Sequence, residues 1–219
     1  MPYSAVLFDL DGTLVDTALD LGNALNYLLI KSGREPLADK SIRPFVSGGT
    51  PALIKLGFGY EMEDPEFPSL KQAFLDYYEQ NLCRYSKPFN GILDALTFLE
   101  TNEIQWGIVT NKPDYLTKPL LEVLNLSHRS AVTISGDTYD RKKPDPFPLL
   151  QACKIINVKP QHTFYIGDDH RDIVAAQAAE MLSVSVGWGY PGEKNPLDWQ
   201  AKYHLNASSD LQPFLKSLL

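Results

Sequence analysis

The sequence predicts an α/β protein, a doubly wound Rossmann-like parallel sheet core with an inserted all-helical cap domain. Three observations carry that expectation. Short apolar runs at 5–10, 106–110, 132–135, 163–167 and 182–187 alternate with helical segments, the order of a mostly parallel sheet with helices on both faces. Runs such as Trp106-Gly107-Ile108-Val109 lack polar alternation, which suits strands buried on both sides. From about residue 17 to 87 the alternation stops: Leu21, Leu25, Leu28 and Leu29, then Leu70, Ala73, Phe74 and Tyr77, keep helical spacing with no convincing strand between them. The expected division is therefore a core of 1–16 and 88–219 and a helical cap of 17–87.

Composition narrows the partners. With 44% hydrophobic and 21% charged residues, the 219-residue chain has the make-up of an ordinary globular protein. A net charge of −7 offers no basic surface to nucleic acid or anionic lipid, so a small molecule is the expected partner. No segment approaches the roughly 18 consecutive apolar residues of a membrane span. The first apolar run contains Asp9 and follows no basic region, so it does not read as a signal peptide. Cys83 and Cys153 lie far apart without metal-ligand spacing and are expected to be free thiols, which makes the cytoplasm the default location. Oligomeric state has no signature in the sequence.

The first strand ends in Asp9-Leu10-Asp11-Gly12-Thr13. Side chains two apart on an extended strand project the same way, so both carboxylates converge beyond its C-terminal end. Gly12 lets the backbone turn there, and Thr13 adds a hydroxyl close to the same point. Two such charges repel, which predicts either a bound cation or a raised pKa on one of them, and Mg²⁺ prefers hard oxygen ligands of this kind.

Three later segments add polar groups. Thr110-Asn111-Lys112-Pro113 closes the strand at 106–110 with a hydroxyl and an amide suited to phosphate oxygens, although Thr and Asn before Pro113 also read as a helix cap. Arg141-Lys142-Lys143-Pro144 puts cations ahead of a helix, as a solvated turn or as countercharge to an acidic site. The strand at 163–167 runs into Gly167-Asp168-Asp169-His170-Arg171-Asp172. One such ending can be a cap, with Asp168 or Asp169 opening a helix over 173–181, but two strands ending in carboxylates point to a shared metal. His170 reads as an exposed loop residue, and His128, His162 and His204 have no ligand-spaced partner.

In this order the four segments resemble the motifs of the haloacid dehalogenase superfamily across the whole chain. The insertion after the first motif resembles that superfamily's C1 cap, and Ile42-Arg43-Pro44-Phe45-Val46-Ser47-Gly48-Gly49 resembles its phosphoglycolate phosphatase-like subgroup. A subgroup acting on N-acetylmuramic acid 6-phosphate looks at least as similar around 106–113 and 195–199. The resemblance implies a Mg²⁺-dependent hydrolase of a small phosphomonoester, with Asp9 as nucleophile forming an aspartyl-phosphate and Asp11 as acid and then base. It implies Mg²⁺ ligands from Asp9, the Asp11 backbone carbonyl and Asp168, phosphoryl binding by Thr110, Asn111 and Lys143, and Asp172 behind them. Asp169, where relatives often carry Ser or Thr, is expected behind the ligands or beside Asp168. Glu180 stands where Gly is common, at a helix end that favours a left-handed residue, so either strain at Glu180 or a different helix end is expected there. Arg43 is the expected reader of a substrate carboxylate. The alternatives are a β-phosphoglucomutase-type phosphomutase and, outside the enzymes, a phospho-receiver module, against which the Asp-Leu-Asp-Gly-Thr string and the insertion argue.

Overall fold

The structure, a computed structural model, describes residues 3–190, 192 and 195–218. Six strands form one parallel sheet: β1 (Ala5–Phe8), β4 (Gln105–Val109), β5 (Thr133–Ile134), β6 (Thr163–Gly167), β7 (Leu182–Val186) and β8 (Tyr203–Leu205), ordered β5-β4-β1-β6-β7-β8. Their side chains alternate between two cores. Val6, Phe8, Trp106, Ile108, Phe164 and Ile166 face one helical layer, while Ala5, Leu7, Val109, Ile134 and Tyr165 face the other. The layers contain α5 (Ile92–Thr101), α6 (Asp114–Val123), α7 (Phe147–Ile155), α8 (His170–Ala178) and α9 (Leu211–Lys216).

The chain steps outward from β1 through β4 to β5, then returns to β1's other side with β6. That reversal leaves a crevice beyond the carboxyl ends of β1, β4 and β6.

The insertion holds α1 (Ala18–Lys31), α2 (Asp39–Ile42), a 3₁₀ turn (Arg43–Gly48), α3 (Gly49–Phe58) and α4 (Phe67–Gln80). Its own core joins Leu21, Leu25, Leu28 and Leu29 to Phe74 and Tyr78, and also takes in Leu116 and Tyr190 from the sheet side. The chain leaves through β2 (Val15–Asp16) and returns through β3 (Lys87–Pro88), paired antiparallel. Asp20, at the start of α1, accepts bonds from the N–H groups of Tyr85 and Ser86 and from the Ser86 hydroxyl, which fastens the return next to the exit.

Three details depart from expectation. The strand expected at 132–135 keeps only two residues, because Ser135 turns away to bond Asp114. The helix expected over 173–181 begins at His170, since Asp169 caps it. β8 has no counterpart among the expected strands, because an edge strand reading Tyr-His-Leu buries only Leu205 and shows no apolar run.

Candidate active site

Asp9 follows β1, and its N–H continues the ladder to Ile166 O at 2.9 Å. Asp168 follows β6, and Asp172 lies in the first turn of α8. One carboxylate oxygen from each of Asp9, Asp168 and Asp172 lies within 4.8 Å of the others. Burial pushes the Asp168 carboxyl well above its usual range, with Asp9 and Asp172 adding repulsion. Burial also raises Asp172, although Lys143 opposes it.

The single ammonium of Lys143 serves this cluster, 2.8 Å from Asp9 Oδ1 and 2.7 Å from Asp172 Oδ1, and donates to the Tyr165 hydroxyl at 2.8 Å. Burial disfavours its charge, but Asp172 and Asp9 outweigh burial and its pKa rises. One cation against three carboxylates leaves negative charge over, and Asp9 Oδ1 is buried without an aligned hydrogen bond. A compact set of hard oxygens with surplus charge fits a Mg²⁺-sized dication.

Two glycines let the backbone close on Asp168. Gly12 has φ +85°, and a Cβ there would stand 2.1 Å from Asp168 Oδ2; a Cβ on Gly189 would stand 2.3 Å from Asp168 Cβ. Asp168 also accepts from Thr13 Oγ1 at 3.0 Å, Ser47 Oγ at 2.8 Å and the Tyr190 N–H at 2.9 Å.

Asp11 behaves differently from Asp9. Its carboxylate turns to Lys112, whose Nζ lies 3.2 Å from Oδ2 and donates to the Tyr78 hydroxyl of α4 at 2.9 Å. Burial opposes the Lys112 charge, yet Asp11 and Tyr78 outweigh it and raise its pKa. Burial lifts the Tyr78 phenol to about 12. The Asp11 carboxylate lines the cavity beside Lys112, apart from the cluster of Asp9, Asp168 and Asp172.

Thr110 and Asn111 reach the crevice in different roles. Thr110 Oγ1 accepts the Lys112 N–H at 3.2 Å, which leaves its own proton to give away. The Asn111 side chain is committed to the Lys143 main chain, donating to Lys143 O at 2.9 Å and accepting from Lys143 N at 3.1 Å. The amide thus fixes the Lys143 backbone beside the crevice that Asn111 lines.

Asp169 is also fixed. Its carboxylate accepts the Arg171 N–H and guanidinium, and the Asp172 side chain accepts the Asp169 N–H, which completes a capping box. Burial opposes its charge, but Arg171 prevails and holds the carboxyl below its usual range. Arg171 also donates to the Ser47 carbonyl across the insertion.

Arg43 is engaged where the insertion begins. Its Nη1 contacts both Asp16 oxygens at 3.0 Å and its guanidinium lies 4.8 Å from the Tyr190 ring centroid. It does not line the crevice. Tyr190 OH donates to Asp16 at 2.7 Å and accepts from the N–H groups of Thr17 and Ala18, so Arg43, Asp16 and Tyr190 form a clasp where the insertion begins.

The crevice is a cavity of about 310 Å³. Asp9, Asp11, Thr110, Lys143 and Asp172 form its floor, and Ser47, Lys71, Phe74, Leu75 and Tyr78 belong to the insertion over it. Sequence reasoning missed Ser47, Lys71, Tyr78, Lys112 and Tyr190. Tyr78 continues the spacing of Phe74, and Lys112 stood inside a quoted motif, so both had a signal.

A sheet with two strands ending in carboxylates, a lysine between them and a helical roof defines a hydrolase site, and the haloacid dehalogenase-like hydrolase family model matches residues 6–186. The chain belongs to that family. It is 43% identical over 214 residues to a phosphoglycolate phosphatase of Xylella fastidiosa, covering 95% of this chain and 93% of that one. It is 39% identical over 202 residues to an N-acetylmuramic acid 6-phosphate phosphatase of Pseudomonas aeruginosa, covering 92% and 89%. A structure from Haemophilus somnus described as a predicted phosphoglycolate phosphatase superposes with a TM-score of 0.87 over 98% of this chain and 99% of its own. At 24% identity that likeness concerns the fold alone.

Proposed function

We propose that this chain hydrolyses a small phosphorylated metabolite through an aspartyl-phosphate on Asp9, with phosphoglycolate-like esters as the first substrate class. The chain is a phosphoric monoester hydrolase. The observation that carries the mechanism is the division between the two strand-end carboxylates: Asp9 lies beside Lys143 in the three-carboxylate cluster, and Asp11 is held apart by Lys112. Asp9 supplies the nucleophile to phosphorus, while Lys143 and the Thr110 hydroxyl take up charge on the phosphoryl oxygens. Asp11 gives its proton to the leaving alcohol and later takes one from the attacking water. Asp9, Asp168 and the Asp11 carbonyl, with Asp172 behind, would hold Mg²⁺, which would supply neutralisation of the phosphoryl charge.

The unit of residues 17–87 acts as the cap that covers this reaction and shapes substrate choice. A second reading, hydrolysis of an amino-sugar phosphate such as N-acetylmuramic acid 6-phosphate, is favoured by the size of the cavity, about 310 Å³, and by the apolar roof of Phe74 and Leu75. Among the described residues no helix is long and apolar enough to cross a membrane. The free thiols Cys83 and Cys153 suit a cytoplasmic setting.

The test is a panel of phosphometabolites assayed with Mg²⁺ and with EDTA, using wild type and Asp9→Asn. Sustained turnover that EDTA stops, Mg²⁺ restores and Asp9→Asn abolishes is expected. Full activity in the Asp9→Asn protein, checked for deamidation, would refute the mechanism. Transfer to a sugar acceptor only in the presence of a bisphosphate primer would make it a mutase instead.

A further inference from the structure

Five cations line the cavity: Lys71, Lys112, Lys142, Lys143 and Arg171. Three are committed, Lys112 to Asp11, Lys143 to Asp9 and Asp172, and Arg171 to Asp169. Among the described residues Lys71 and Lys142 form no ion pair. Lys142 is exposed and adjoins Lys143 in the chain, on the sheet side of the cavity. Lys71 is exposed at the roof and is the one of the two carried by the insertion.

Its position on α4 gives that isolation a direction. Lys71, Phe74, Leu75 and Tyr78 follow one another at i, i+3, i+4 and i+7 and share one helix face, the face that lines the cavity. At the far end of this row Tyr78 bonds Lys112 beside Asp11, where the leaving oxygen departs. Seven residues at about 1.5 Å each put the Lys71 backbone about 10 Å along the axis from that point. Between them lies the apolar surface of Phe74 and Leu75.

We propose that Lys71 is the specificity residue for the non-phosphoryl end of the substrate, and that this end carries a carboxylate. The inference rests on the phosphatase reading and adds the residue that meets the substrate's second charge. One uncommitted cation on the roof balances one negative charge, which suits a carboxylate and leaves a second phosphate dianion under-compensated. The lysine stem is flexible and its ammonium imposes no planar geometry, so it can meet a carboxylate close to the phosphoryl group or one farther away. Glycolate carries the first kind and a lactyl ether on an amino sugar carries the second. Arg43, already bound by Asp16, is not available for this task.

The experiment compares kcat/KM within two matched pairs: 2-phosphoglycolate against ethyl phosphate, and N-acetylmuramic acid 6-phosphate against N-acetylglucosamine 6-phosphate. Wild type should prefer the carboxylate-bearing member of at least one pair, and the pair that shows the preference identifies the carboxylate's source. In Lys71→Met that preference should fall by about tenfold or more, mainly through KM, and Lys71→Arg should restore most of it. Equal losses on both members of a pair, or no wild-type preference in either, overturn the proposal. So does a preference that survives Lys71→Met and disappears in Lys142→Met. Turnover of ethyl phosphate or N-acetylglucosamine 6-phosphate by wild type is the control on the phosphatase reading: its presence with no carboxylate preference refutes Lys71 alone, and no turnover of any pair member refutes both.

Discussion

Lys112 Nζ lies 3.2 Å from Asp11 Oδ2 while donating to Tyr78 on the insertion, so the proposed acid–base carboxylate and its cover share one buried ammonium. Lys112→Met would leave Asp11 without its countercharge and the Tyr78 hydroxyl without its donor. We expect a stability loss of about 1 to 3 kcal/mol, read by urea unfolding. We also expect a rate loss that is largest for alkyl phosphates and smallest for p-nitrophenyl phosphate, whose leaving group needs no proton. A loss independent of leaving group would reduce Lys112 to a packing role.

Asp168 and Asp169 are neighbours with separate tasks. Asp168→Ala should weaken Mg²⁺ binding strongly, because it removes a fully buried member of the carboxylate cluster. Asp169→Ala should cost about 1 kcal/mol of stability through the lost helix cap and leave metal affinity closer to wild type. Calorimetric metal titration of the two variants decides the ranking, and the reverse order would move the ligand to Asp169.

The guanidinium of Arg43 is held by Asp16 with the two side chains 38% and 28% exposed, a half-open pair worth about 0.5 to 1 kcal/mol. Arg43→Ala should therefore lower stability slightly and reduce kcat/KM by a similar factor on every substrate, since a loosened clasp affects closure and not recognition. Steady-state kinetics on 2-phosphoglycolate and p-nitrophenyl phosphate check this. A loss confined to the carboxylate substrate would reinstate Arg43 as a reader.

The end of α8 stores a small strain. Glu180 has φ 58°, and the bonds Glu180 N–H to Gln177 O and Met181 N–H to Ala176 O close a Schellman motif around it. Glu180→Gly should stabilise the protein by about 0.5 to 1 kcal/mol despite losing the exposed bond from Gln161, a rise of roughly 1 to 4 °C in melting temperature. Calorimetry with no rise would mean the Gln161 contact offsets the backbone relief.

The residues legible in the sequence are those with local signals. An apolar run ending in carboxylates announces Asp9, Asp11 and Asp168 because strand and charge are adjacent in the chain. Helical spacing likewise revealed Leu25 and Phe74 as core. Ser47 and Asp168 are 121 residues apart and Tyr78 and Lys112 are 34 apart, so nothing in either neighbourhood signals the pairing. Asn111 shows the same limit: its side-chain partner, the Lys143 backbone, is 32 residues away, and an amide after a strand looks alike whether it binds phosphate or main chain. The pair of Arg43 with Asp16, 27 residues earlier, likewise leaves no local trace.

The two short strands Val15–Asp16 and Lys87–Pro88 bring the insertion's exit and return side by side. A segment whose ends already touch adds little closure entropy to its host, so a change of insert length at that doorway should cost the sheet little. The roof is in this sense exchangeable furniture: a foreign helical hairpin grafted between Asp16 and Lys87 would inherit Asp9 and Lys143 unchanged. It would bring its own equivalents of Lys71 and Ser47, so new selectivity could be acquired in one recombination without disturbing the proposed nucleophile.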